Sequence, residues 1–569
     1  MGTILQPSIL AKRVWLLLFV GIGGFYVWGL GALPLVGPDE PRYAEVAREM
    51  LTRHDLITPT LGGLPWFEKP PLLYWLMIAS YRVIGVGEYA ARFAPALCGL
   101  LSALFVYWTA ARCISPTVRK GSAETQGHSS EFAKLSALIF LSSIGVITFA
   151  RGASFDMVVT MTLTGALASF FRWQVTSARI SASLPAAQMN NPPKLWLLPG
   201  FYCFIGLSLL AKGLIGIVIP FGVIALYFLS VREWPLRRFV LSLLWGLPLA
   251  LAVAAIWYGP MTARHGWTFI DQFIIQHHFA RFTTSKYHHS EPFYFYLPVL
   301  ASMALPWTVF LIAAFASARR WTWRDDAPLD RLRVFALSWI VVPVIFFSVS
   351  QSKLTAYILP VMPGVALLVA DRIECFRRMD RGHKAMRLTG ALMIILAAGG
   401  AWYSIYEMNL SRVCIGGAAL GLVAVGIITL VRPQLRQPLL LLIPLASFAA
   451  LAVAITCAAP LVAQRESVRD LLRLAGARGY GAAPVVQLHT VERTAEFYAA
   501  GRISYRSDGE PVKLEGVKQV ADAARSSGGM VLCFVPVKYE SQLTESLEVR
   551  TQVIGNNGRV SLVVVSAVK

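Results

Sequence analysis

The stretch Val14-Trp15-Leu16-Leu17-Leu18-Phe19-Val20-Gly21-Ile22-Gly23-Gly24-Phe25-Tyr26-Val27 opens an apolar run that follows Lys12-Arg13 and continues to about Val36. Roughly twenty apolar residues cross a bilayer as a helix. No small-residue cleavage site stands out, so the run reads as a first transmembrane helix rather than a removable signal. Directly after it stands Gly37-Pro38-Asp39-Glu40-Pro41-Arg42-Tyr43-Ala44-Glu45. Charge is disfavoured in hydrocarbon, so two acids and an arginine where a membrane helix emerges point to function. With Phe67-Glu68-Lys69-Pro70-Pro71 some thirty residues later, this cluster reads as a membrane enzyme rather than a channel or scaffold.

The rest of the chain repeats the first stretch. Of 569 residues, 56% are hydrophobic and 15% charged, against about 25% charged in soluble domains. Further apolar runs lie at 90–112, 133–150, 157–173, 195–211, 213–230, 240–259, 293–317, 334–350, 354–370, 388–406, 414–431 and 438–460. With the first they predict about thirteen spans. A shorter run, Leu72 to Ile84, follows Pro70-Pro71 and reads as an interfacial helix. The net charge of +21 does not indicate nucleic acid, because the basic residues fall in short runs between spans, as the positive-inside rule requires. Those runs put the N-terminus in the cytoplasm, and the loops 37–89 and 260–292 outside together. The seven cysteines form no CxxC pair, so neither a disulfide framework nor a structural zinc site is indicated.

Past residue 460 the composition changes. Glu466 to Gly479 reads as an amphipathic helix, and Val485–Leu488, Met530–Val535 and Val560–Val565 as buried strands, with helical patterns near 491–500 and 515–526. The expected architecture is a polytopic α-helical membrane domain over 1–460 and a small outward α/β domain over 461–569. The latter carries no nucleotide-binding or triad motif, which favours a structural or acceptor-contacting role.

Charged residues on the outward side are the candidates for chemistry. Asp39 and Glu40 open a helical pattern through Leu51, so one of them fits a plain helix cap. Capping leaves unexplained the second acid–base pair, Glu68-Lys69, before Pro70-Pro71. A lysine held beside a carboxylate suits a phosphate ligand, although a snorkelling lysine gives the same pattern. Asp156 lies in the tight link Arg151-Gly152-Ala153-Ser154-Phe155-Asp156, and Lys212 between two short spans. Lys353 and Tyr357, four apart, share a face if that segment is helical. Arg42, Lys69, Lys212, Arg264, Arg281 and Lys353 crowd a side that should be poor in cations, which calls for anionic partners such as lipid phosphates. The loop 260–292 adds His265, His277-His278 and His288-His289. A divalent metal near Glu68 and these histidines is one reading, but consecutive histidines lack the spacing of a His-x-x-x-His pair.

Three motifs carry a family resemblance: Asp39 to Leu51, Phe67-Glu68-Lys69-Pro70, and Lys353-Leu354-Thr355-Ala356-Tyr357-Ile358-Leu359-Pro360. They resemble bacterial aminoarabinose transferases, C-type glycosyltransferases related to the protein O-mannosyltransferases. His278-Phe279-Ala280-Arg281-Phe282 extends the likeness. Pro41 and Ala356 depart from the residues common there, without touching a charge. The resemblance implies thirteen spans, a periplasmic C-terminal domain and an inner-membrane enzyme. It implies transfer of 4-amino-4-deoxy-L-arabinose from undecaprenyl phosphate to lipid A phosphate, which lowers surface charge and gives polymyxin resistance. It further implies Asp39 as catalytic acid, Asp156 as a second acid near the sugar, Lys69 with Arg42, Lys212 and Arg281 at the donor phosphate, and Tyr357 at the carrier phosphate. The rivals are transfer of another sugar, such as mannose or galactosamine, to glycan or protein, and lipid transport. A transporter would show deep polar residues and a repeat across its halves, and neither is found.

Overall fold

The computed structural model describes residues 9–111, 123–183, 196–280, 291–325, 327–379, 382–408 and 410–567. Each apolar run folds as helix. Among the described residues, seven helices are long and apolar enough to cross a membrane, and four shorter apolar ones include Leu197–Lys212 and Ile215–Val231. Two expected straight spans are instead broken. Ser130–Ser142 and Ile144–Ala150 meet at 63°, and Phe293–Met303 and Thr308–Arg320 at 119°. Hydropathy records apolar length and not a bend within it, so the expectation of about thirteen spans carried no sign of these breaks. The expected loop 260–292 is also corrected. The helical stretch Arg237–Phe269 runs past Pro260 and is kinked at Gly266 (φ +54°, ψ −136°), and a wider turn follows over Ile270–Ala280.

The contacts group the chain into two units, Met1–Trp28, Glu68–Leu73 and Pro95–Val453 in one, and Gly29–Phe67, Tyr74–Ala94 and Ala454–Lys569 in the other. A division at 460 kept the segment 37–89 with the spans. The contact grouping assigns most of it with the tail.

In the membrane unit the breaks are satisfied internally, as backbone in hydrocarbon demands. The amide freed at Ile144 donates to the Leu305 carbonyl at 2.9 Å, and Trp307 Nε1 donates to Ser142 Oγ at 2.9 Å. A Cβ on Gly145 would stand 2.7 Å from Met303, so only glycine lets the two broken helices approach there. Helix Ile144–Ala150 then ends at Arg151, and the next helix starts at Phe155. The link that carries Asp156 is therefore short and anchored.

In the tail unit, β1 (Thr60–Leu61) and β2 (Leu64–Pro65) form a hairpin after helix Asp39–Thr52. A four-stranded sheet follows, built of β3 (Val485–Gln487), β4 (Met530–Pro536), β5 (Val549–Asn556) and β6 (Val560–Ala567). Its order is β3-β4-β6-β5, with β3 parallel to β4 and the others antiparallel. Leu532, Phe534, Leu562 and Val564 face one core, and Val531, Cys533, Val535, Val563 and Val565 the other. Burial on both faces explains why β4 reads as an unbroken apolar run and β6 as one interrupted within Val560–Val565 only by Ser561.

Candidate active site

The membrane unit gathers Asp156, Lys212 and Tyr357. Asp156 lies in the first turn of helix Phe155–Ser183, its amide donating to Ser154 Oγ at 3.1 Å. Lys212 ends helix Leu197–Lys212, which Gly213 stops with φ +70°. An acid at a helix start and a cation at a helix end each gain from the helix dipole. Lys212 Nζ donates to Asp156 Oδ1 in an ion pair whose side chains keep 12% and 17% exposure. The same ammonium lies 4.5 Å from the centre of the Tyr357 ring. Phe347 backs that ring at 5.2 Å. A lysine fixed between carboxylate and ring, but still reachable, is preorganised for an anionic ligand.

Lys353 does not share a face with Tyr357. Leu354 is extended (φ −125°, ψ 144°) and the helical turn begins only at Thr355. Lys353 Nζ instead donates to the Glu291 carbonyl at 2.8 Å, and Tyr296 donates to the Leu354 carbonyl at 3.2 Å. These two bonds hold the approach to the Tyr357 turn. Glu68 and Lys69 are half-buried in a non-helical bend, and Glu68 has no side-chain partner among the described residues. Arg264 is exposed on helix Arg237–Phe269. Arg281 and the pair His288-His289 lie outside the described residues, and the side chains of His277 and His278 are likewise undescribed. Among the described residues no three histidine, cysteine or acidic side chains cluster as metal ligands.

The tail unit holds Asp39. Pro38, not Asp39, is the N-cap, and no side chain caps the helix. Asp39 is exposed at the first helical position, with no hydrogen-bond or ion-pair partner among the described residues. Capping therefore does not account for it. Its neighbour Glu40 is held fast. The Arg92 guanidinium donates to Glu40 at 2.7 and 3.0 Å and to the carbonyls of Leu30, Leu33 and Pro34 at 2.7–2.9 Å. Arg92 was not singled out in the sequence. An arginine four residues past Glu88 at the start of an apolar run was the available signal.

Three consecutive tail residues then grip the Asp39 helix and the segment before it. Glu496 sits 3.6 Å from the Arg42 guanidinium, which also stacks on Trp66 at 5.0 Å. The Phe497 carbonyl accepts from Arg48 at 3.1 Å, and the Phe497 ring lies 5.1 Å from that guanidinium. Tyr498 hydroxyl accepts from the Leu35 amide at 2.7 Å and donates to Glu88 at 3.1 Å. Glu49 ties down the hairpin, accepting from Thr60 Oγ1 at 2.7 Å and from the amides of Gly62 and Gly63 at 2.6 and 3.1 Å. Gly62 has φ +62°, and a Cβ there would meet the Tyr505 ring at 2.1 Å. Burial pushes the Glu45 carboxyl up to about 7, and Arg48, ion-paired to it, offsets part of that. Burial also raises Glu496, against the pull of Arg42 and Arg493.

A family model for dolichyl-phosphate-mannose-protein mannosyltransferases matches residues 15–322. Undecaprenyl phosphate-alpha-4-amino-4-deoxy-L-arabinose arabinosyl transferase of Erwinia tasmaniensis is 32% identical over 441 residues, 74% of this chain and 72% of that protein. The chain belongs to this arabinosyl transferase family. The relative of the same name from Edwardsiella ictaluri is 31% identical over 398 residues, and the match spans 68% of the chain but 64% of that relative's length. The fold of the family is shared throughout: the crystal structure of ArnT from Cupriavidus metallidurans bound to undecaprenyl phosphate superposes with a TM-score of 0.76 at 23% identity. That likeness covers 97% of this chain and 98% of the other.

One expectation about cysteine is corrected. Cys414 and Cys457 are disulfide-bonded, whereas Cys98, Cys203, Cys375 and Cys533 are free. Neither belongs to a CxxC pair, so the sequence shows no spacing signature for it.

Proposed function

We propose that this chain moves 4-amino-4-deoxy-L-arabinose from undecaprenyl phosphate to a lipid A phosphate on the periplasmic face of the inner membrane. The observation that carries the reading is Lys212, held by Asp156 and Tyr357 yet open to a ligand, in a member of the arabinosyl transferase family. Supporting the orientation, Cys414 starts one apolar helix and Cys457 lies near the far end of the next, both remote from the Arg432–Arg436 turn. Disulfides persist in oxidising compartments, and basic turns stay in the cytoplasm.

The chemistry is a single in-line displacement. An acceptor phosphate oxygen forms the bond to the anomeric carbon as the bond to the carrier phosphate breaks. Undecaprenyl phosphate leaves as an anion, and cations aimed at it, Lys212 and Lys69 foremost, stabilise charge that grows in the transition state. A phosphate acceptor is already ionised and needs no strong base, so Asp39 orients it and balances oxocarbenium charge. One displacement inverts the anomeric centre. Mass spectrometry of lipid A from cells with and without the protein tests the reading. A gain of aminoarabinose on lipid A is expected, whereas unchanged lipid A beside a newly glycosylated protein would favour the mannosyltransferase relatives' chemistry instead.

A further inference from the structure

Helix Thr308–Ser317, helix Met362–Met379, the start of helix His383–Tyr406 and the turn before Arg436 surround a cavity of about 960 Å³. Arg372, His383, Lys384, Arg387 and Arg436 line it, and no aspartate or glutamate does. Its other wall is apolar, with Ile312 at 62% exposure and Leu388 at 59%. Cations at this end of the spans are expected from topology alone, so their presence by itself means little. Their partners decide the matter.

Two neighbouring arginines that do not line the cavity are neutralised by carboxylates. Arg333 binds Asp371 at 2.8 Å and Asp330 at 2.7 Å, and Arg377 binds Glu374 at 3.0 Å. Asp371, adjacent to Arg372 in sequence, thus hydrogen-bonds Arg333 instead. Arg372, Lys384 and Arg387 make no hydrogen bond or close ion pair with a carboxylate among the described residues. Arg436 is steered into place by the Arg377 carbonyl at 2.9 Å and the Phe376 ring at 5.3 Å. A recess with several guanidinium groups on one side and exposed aliphatic side chains on the other has two requirements at once. Phosphate oxygens answer the first, in the fork geometry arginine favours. Acyl chains answer the second.

We infer that this cavity binds the phosphate headgroup of an anionic glycerophospholipid, with its chains along Ile312 and Leu388. Basic pockets between transmembrane helices are where such headgroups bind. The site involves none of the residues assigned to sugar transfer.

Native mass spectrometry of the full-length protein in mild detergent tests the inference, with cardiolipin, phosphatidylglycerol and phosphatidylethanolamine added in turn. The two anionic lipids are expected to be retained in preference to phosphatidylethanolamine. Combining Arg372→Gln with Arg387→Gln should weaken anionic lipid binding roughly tenfold or more, at about a kilocalorie per cation. Arg387→Gln alone, at an exposed position, should give a smaller loss and serves if the double variant fails to fold. Arg319→Gln with Arg320→Gln, near the same helix end but outside the cavity lining, should change little. The inference is overturned by phosphatidylethanolamine retained as well as phosphatidylglycerol. It is equally overturned if the Arg319/Arg320 variant loses as much binding as the cavity variant, since a diffuse positive field then suffices. Displacement of the lipid by equimolar inorganic phosphate would reassign the cavity to free anions.

Discussion

In the membrane unit, one acid and one cation of the candidate site neutralise each other: Asp156 at a helix start and Lys212 at a helix end, with Tyr357 beside the ammonium. In the tail unit the reverse holds. Glu40, Arg42, Arg48 and Glu49 are all engaged, and Asp39 alone on that face of the first turn has no side-chain partner among the described residues. A paired charge is held at a fixed place and answers a ligand by sharing its partner. An unpaired one, on a helix braced from several sides, is available to whatever arrives. The proposed function gives binding to the first region and chemistry to the second, and this contrast is what can be tested.

Removing the unpaired charge is the strongest way to break that division. Asp39→Asn keeps the size and the exposed position, so transfer to lipid A should fall about a thousandfold while undecaprenyl phosphate binding stays within about twofold. An equal loss of binding would show that Asp39 serves the donor and erase the distinction. Lys212→Ala comes next. Truncating one member of a buried charge pair costs 2–5 kcal/mol, and the partial exposure here discounts that to about 2, or roughly thirtyfold in donor affinity. Lys212→Arg should recover part of it. Calorimetry with undecaprenyl phosphate reads both, and unchanged affinity in Lys212→Ala would move the phosphate elsewhere.

The bracing itself can be sharpened. Glu496→Gln keeps the shape but loses the charge opposite Arg42. A three- to tenfold fall in kcat is expected, for about 1 kcal/mol of lost positioning, with donor affinity unchanged. Glu496→Asp should restore part of the rate. A fall in donor affinity instead would place Arg42 at the donor phosphate, as the family resemblance implied, rather than at the service of its own helix.

Much of this was legible beforehand, and the reasons for the rest are physical. Apolar length named the long membrane helices, and doubly buried β4 and β6 announced themselves as largely apolar runs. β5 was missed because an edge strand carrying Arg550, Gln552 and Asn556 shows no such run. Asp156, Lys212 and Tyr357 were each singled out, but only the fold shows that they meet, since their separations in sequence encode nothing about it. The pairing of Lys353 with Tyr357 failed on one extended residue, Leu354. Glu496-Phe497-Tyr498 gave no warning at all. Its contacts are to residues more than 400 positions away, and such long-range complementarity has no local pattern.

The smallest expected effect concerns Glu45, on the same helix as Asp39. Its carboxyl is raised from 4.5 to about 7, chiefly by burial, with Glu49 and Glu496 adding to the rise and Arg48 opposing it. The folded state therefore binds more protons than the unfolded one between those values. Stability must fall as pH rises through that window, and the full penalty is present above it. Glu45→Gln fixes the neutral form, so the variant should unfold at a higher temperature than the parent at pH 8 and match it near pH 4. Part of the slope should persist, because burial raises Glu496 in the same direction. A variant whose melting temperature tracks the parent at every pH would mean that Arg48 keeps Glu45 ionised. In that case the grip on the Asp39 helix rests on charge pairs alone, and Glu496→Gln should loosen it further than predicted above.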